Sequence, residues 1–153
     1  MKFEFLLCLP RDGVTVPVVR HILGSTLRHL GVGERYVEDV ELVVTEACTN
    51  VLKHAGAGRD LYEVGVVVNE SNVEISVSDK GDGFDHELIG LESAPVGDEE
   101  GRGVNLMRML VDHLQFVSDP RSGTVVHLTK ALDFDRESLL GRLIGAEAGP
   151  RRN

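Results

Sequence analysis

The chain has 153 residues, 42% of them hydrophobic, with 25 Asp and Glu against 16 Lys and Arg and a formal net charge of −9. One domain of this length buries roughly 70% of its unfolded surface and needs no disulfide staple. The acidic balance disfavours direct binding to nucleic acid or anionic lipid, and no apolar run approaches the roughly 20 residues of a membrane span.

Residues 2–9 alternate loosely and predict a first strand, closed by Pro10-Arg11-Asp12-Gly13. This opening carries Glu4 and stops at a proline, which makes it a poor signal peptide. A helix follows over 16–30, with Pro17 tolerable only in its first turn and Gly31-Val32-Gly33 at its end. A second helix spans 34–54 and is stopped by Gly56 and Gly58. Strands at 61–68 and 73–79 are separated by the hairpin turn Asn69-Glu70-Ser71-Asn72. Residues 80–103, dense in Gly, Asp and Glu, form the longest irregular stretch, with a short helix near 85–91. The pattern then predicts a helix from after Gly103 to about Asp112, and strands at 114–119 and 124–130 joined by Asp119-Pro120-Arg121-Ser122-Gly123. Cys8 and Cys48 sit in apolar-rich segments and read as two buried thiols in a reducing, cytoplasmic compartment. Helices among adjacent antiparallel pairs point to an α+β two-layer sandwich. The working domain is expected over 1–134, with a short helix and disordered tail over 135–153.

Four features sit oddly in a plain fold. On the second helix Val40, Val43, Val44, Ala47 and Val51 define the core stripe, and Glu46 and Asn50 lie four residues apart on its edge. Both offer oxygens, which suit a hard cation or a hydroxyl proton. On the strand at 73–79, Asp79 falls in register with Val73, Ile75 and Val77, so a carboxylate lies on the core face. Lys80-Gly81-Asp82-Gly83 follows at once, and its glycines permit close backbone approach to a ligand. Gly101-Arg102-Gly103-Val104-Asn105-Leu106 opens a helix, where free amides make an anion site. Thr124 shares a strand face with Val126 and Leu128. Each feature alone has a plain structural account: a boundary helix pair, a strand-ending turn cap, a flexible loop, a core threonine bonded to its own backbone.

In this order and spacing the four together resemble the nucleotide site of the GHKL ATPase superfamily. Glu46-Ala47-Cys48-Thr49-Asn50, with His54 one turn on, looks like its N box. Asp79-Lys80-Gly81-Asp82-Gly83 looks like the first glycine box, Gly101-Arg102-Gly103 with Leu106 like the second, and Gly123-Thr124 like the terminal threonine position. The wording is most similar to the small anti-sigma-factor serine kinases of bacteria. Gyrase-like members need a transducer domain after the last strand. Sensor histidine kinases need a phospho-accepting hairpin, whereas His21 and His29 lie on the first helix of the domain itself.

The resemblance implies a Bergerat-type fold, a mostly antiparallel mixed sheet covered on one face by helices, with ATP and Mg²⁺ as cofactors. It makes Asn50 the Mg²⁺ ligand and Glu46 the general base toward a partner serine or water. Asp79 would accept from the adenine amine with support from Thr124, and Gly81 and Gly83 would pass close to base and sugar. Gly101, Arg102, Gly103, Val104 and Leu106, together with His54, complete the cofactor-binding set. Residues 84–100 would form a lid whose acidic run Asp98-Glu99-Glu100 turns outward. The implied function is a serine/threonine kinase that sequesters a sigma factor and phosphorylates an anti-anti-sigma protein, usually as a homodimer that meets partners through its early helices near Arg20. Two other readings stay open: a nucleotide-gated partner-binding regulator with little or no kinase activity, and a domain that keeps only the fold.

Overall fold

The alternating segments become five strands in a computed structural model, which describes residues 2–54, 60–79, 101–119, 123–135 and 138–147. These are β1 (Phe3–Pro10), β2 (Leu61–Val68), β3 (Asn72–Ser78), β4 (His113–Asp119) and β5 (Gly123–Ala131). They form one sheet in the order β1-β2-β3-β5-β4, and every described pairing is antiparallel. The register aligns Leu7, Val64, Val77, Val126 and Phe116 in one row across a single face. Phe5, Val66, Ile75, Leu128 and Leu114 form the next row. With a side-chain period of two, a one-residue slip would carry both rows to the other side, so burial fixes the register. The opposite face carries Glu63, Glu74, Ser76 and His127, none of them fully buried.

Four helices are described: α1 (Val16–Leu30), α2 (Glu34–His54), α3 (Gly101–Leu110) and α4 (Leu139–Glu147). On α1 the stripe Val16, Val19, Leu23, Leu27 and Leu30 is buried, and on α2 so are Val37, Val40, Val43, Val44, Ala47, Cys48 and Val51. These stripes and the apolar sheet face make one core. Each fully buried Val or Leu contributes roughly 1.5–3 kcal/mol before ordering entropy is set against it. The two helices cross closely at Gly24, where a Cβ would stand 2.9 Å from Glu41 Cδ. Gly31 ends α1 in the left-handed region with φ 88°, a conformation open to glycine at little cost. On the surface Arg28 bridges Glu34 at 2.7 Å and Glu41 at 2.5 Å. The Arg28 hydrogen bond holds the Glu34 carboxyl below its usual range, but exposure keeps the pair's contribution small.

Apart from the start of α3, the helices α1 to α3 and the five strands fall within one or two residues of their sequence expectation, with three corrections. First, α3 begins at Gly101, three residues earlier than expected, because burial of Val104 and Met107 carries the helix through a glycine-rich start. Second, Cys8 is exposed, since β1 is an edge strand and Cys8 is on the face away from the helices. Third, a 3-10 turn at Gly13–Thr15, capped by the Asp12 carboxylate on the Val14 amide, precedes α1. The short helix expected near 85–91 lies outside the described residues. No helix among those described is long and apolar enough to cross a membrane.

Candidate nucleotide site

At the strand end, β3 runs out at Ser78 and the alternation carries Asp79 inward, where it is 1% exposed. Its neighbour is the start of β5. The Thr124 amide donates to Asp79 Oδ1 at 2.7 Å, and the Asp79 amide donates to the Thr124 carbonyl at 3.3 Å. Gly123 makes this possible. Its φ is +95°, and a Cβ there would stand 2.2 Å from Asp79 Oδ1. The second carboxylate oxygen, Oδ2, is buried with no hydrogen-bond partner. An acceptor left so is costly, by roughly 1–3 kcal/mol and more for a charged group, so the position calls for a donor from a ligand or ordered water.

The helix end is built from α2 and α3. Asn50 is 5% exposed, and its Nδ2 is also buried without a partner. Glu46, one turn earlier, is half-buried. The first turn of α3 lies directly on this pair: a Cβ on Gly103 would stand 2.7 Å from Glu46 Oε2 and 3.6 Å from Asn50 Nδ2. Glycine at 103 therefore lets the amide-rich start of a helix approach a carboxylate and an amide closely. Because α2 packs on β3, β5 and α3, both clusters lie in the layer between helices and sheet.

The remaining candidates divide. Val104 is part of the core and its side chain seats α3, whereas Leu106 is half-buried and lies outside that core. Gly101 and Arg102 are the first residues of α3, and His54 is the last of α2. The side chains of Arg102 and His54, as well as Gly81, Gly83 and the whole stretch 84–100, lie outside the described residues. Thr124 is fully buried, and its backbone meets Asp79 twice, through the amide and through the carbonyl. Gly123 is a site residue that the sequence motifs mark only through its neighbour Thr124. The signal for it is a glycine opening a strand one position before a core-facing threonine.

Among the described residues no three His, Cys, Asp or Glu come together to hold a metal. Mg²⁺ needs no such cage, since it keeps several waters and takes one or two protein oxygens beside phosphate oxygens. A buried amide whose oxygen is presented by a half-turn of its side chain, with a carboxylate one helical turn away, fits that demand. The donor set does not fit zinc.

A family model described as a histidine kinase-like ATPase domain matches residues 9–130, a span that includes both clusters. The serine-protein kinase RsbW of Bacillus velezensis is 32% identical over 138 residues, covering 84% of this chain and 85% of that protein. The RsbW of Bacillus licheniformis is 34% identical over 132 residues, covering 79% and 81%. That of Halalkalibacterium halodurans is 33% identical over 135 residues, covering 83% and 82%. Among solved structures, the RsbU and RsbW domains of Rv1364c from Mycobacterium tuberculosis match with a TM-score of 0.64 at 20% identity over 85% of this chain. The match spans 32% of that longer chain, and at this identity it speaks for the fold alone.

Proposed function

The chain belongs to the histidine kinase-like ATPase domain family, and from that premise we propose that it is an ATP-dependent protein serine/threonine kinase acting as an anti-sigma factor. The observation that carries the reading is the orphaned Asp79 Oδ2, a buried acceptor whose partner oxygen is already held by the Thr124 amide. An exocyclic amine answers it. Adenine offers one at that edge where guanine offers a carbonyl, so Asp79 selects ATP.

At the other end Asn50 would hold Mg²⁺, which when bound supplies charge neutralisation to the phosphate oxygens. The first amides of α3 would hold the phosphates against the same corner. Glu46 would orient the attacking hydroxyl of a partner serine and accept its proton as oxygen bonds to the γ-phosphorus and ADP departs. The resemblance to proteins named serine-protein kinase supports this chemistry. The likeness of the motifs to the anti-sigma-factor kinases extends the proposal to a cytoplasmic homodimer that holds a sigma factor and phosphorylates an anti-anti-sigma protein.

The test is transfer of γ-labelled phosphate from ATP to an anti-anti-sigma protein of the same genome. Wild type labels a serine or threonine, and Glu46→Gln lowers the rate about 10²–10⁴-fold while still binding ATP. Equal rates would remove Glu46 from the chemistry. Tight ATP binding by wild type without transfer to any such partner would favour a nucleotide-gated binder.

A further inference from the structure

Of the buried polar and charged side chains described, Lys130 alone carries positive charge. It follows Thr124, Val126 and Leu128 on the helix-facing side of β5 and is 9% exposed. Its ammonium donates to the Leu110 carbonyl at 2.5 Å, stands 3.4 Å from Asp39 Oδ2, and lies 5.8 Å from the centre of the Tyr36 ring. Leu110 is the last residue of α3, whereas Asp39 and Tyr36 belong to α2. A buried ammonium is costly unless its donors are met, and here they are met from two helices at once.

The carbonyl it takes is at the end of α3, where the helix lacks internal donors and where a cation also suits the dipole. Two further bonds tie the same corner to β5: the Asp112 amide to the Thr129 carbonyl at 2.9 Å, and the Ala131 amide to Asp112 Oδ2 at 2.5 Å. The opposite end of this 10-residue helix is the turn that lies on Glu46 and Asn50. A helix of that length spans about 15 Å and moves as a rod, so a shift at its anchored end displaces its first amides.

We infer that Lys130 is a positioning residue for the nucleotide: by clamping the last carbonyl of α3 to α2, it sets where the first amides of α3 stand against Asn50 and Glu46. The inference rests on the reading of that end as the phosphate site.

The test compares wild type, Lys130→Met, Lys130→Arg and Asp39→Asn as full chains, by calorimetric titration with ATP and Mg²⁺, steady-state transfer and amide exchange. Lys130→Met keeps the apolar stem and removes the cation. It is expected to raise Kd and KM for ATP about tenfold, with a smaller fall in kcat, and to speed exchange of the amides from Val104 to Met107. Lys130→Arg should recover most of the affinity, and Asp39→Asn should weaken it by about threefold. A loss of stability alone would lower Tm but leave Kd and KM of the folded protein unchanged. A folded Lys130→Met with wild-type Kd and wild-type exchange in α3 overturns the inference. If Lys130→Met does not fold, an unchanged Kd in Asp39→Asn overturns it instead. If wild type binds no ATP, the nucleotide reading fails, and the exchange of α3 in Lys130→Met still decides the clamp.

Discussion

The two ends of the candidate site hold their polar groups in different ways. At the strand end Asp79 is fixed by backbone: an amide on one oxygen, and a left-handed glycine with no room for a side chain. At the helix end Glu46 is half-buried, and its constraint is a glycine of α3, a short helix seated by Val104 and Met107 and clamped at its far end. A group that must distinguish one base by one hydrogen bond gains from rigidity, because a displaced acceptor loses discrimination. Groups that must accommodate a phosphate before and after transfer gain from an element that can shift. On the proposed roles, base selection falls to the backbone-fixed strand end and phosphate handling to the helix end.

The sharpest way to break this contrast is to place the same methyl group at each end. Gly123→Ala must force a Cβ into a space 2.2 Å from Asp79 Oδ1 at φ +95°. It is expected to cost about 1–3 kcal/mol of stability from backbone strain and to weaken ATP binding about 100-fold, read by thermal melts and calorimetry. Gly103→Ala meets Glu46 Oε2 at 2.7 Å, the far end of a side chain that can swing aside. It should leave ATP affinity within about threefold while slowing phosphate transfer about tenfold, since the displaced group is the proposed base. Equal losses of affinity in the two variants would dissolve the distinction.

A smaller effect sharpens it from within α2. Cys48 lies between Glu46 and Asn50 in sequence, is fully buried, and has its thiol pushed up to about 12 by desolvation. Below pH 9 both folded and unfolded thiols are protonated. As pH rises from the ordinary thiol value of 9.0 toward 12, the unfolded thiol ionises first, so stability falls across that window. The slope attributable to this group is at most about 1.4 kcal/mol per pH unit and should vanish in Cys48→Ala. At pH 8 a thiol reagent should modify the exposed Cys8 quickly and Cys48 only on unfolding. Fast labelling of Cys48 in the folded chain would mean that the helix layer opens far more readily than its packing implies.

Much of the fold was legible because periodicity states burial directly. The valines of Leu61–Val68 and Asn72–Ser78 alternate, and those of α2 recur at helical spacing. The same parity placed Asp79 and Thr124 on the core face. β1 misled because Leu6 and Cys8 are as apolar as Leu7 and Leu9, so parity cannot say which side the helices cover. The start of α3 was obscured by glycines whose low helix propensity is overridden by packing of Val104 and Met107. Least legible were the contacts that depend on tertiary placement. Gly123 reads as turn chemistry until its φ and its distance to Asp79 are known, and Lys130 finds its acceptor 20 residues away at the end of another element.

The most direct measurement is calorimetric titration with ATP, with and without Mg²⁺, of wild type, Asp79→Asn and Asn50→Ala. Adenine-selective binding by wild type is expected, with a loss of about 100-fold in Asp79→Asn and Mg²⁺ dependence abolished in Asn50→Ala. A folded wild type that binds no ATP, or an Asp79→Asn variant that binds it as tightly as wild type, would rule out a nucleotide site built on Asp79.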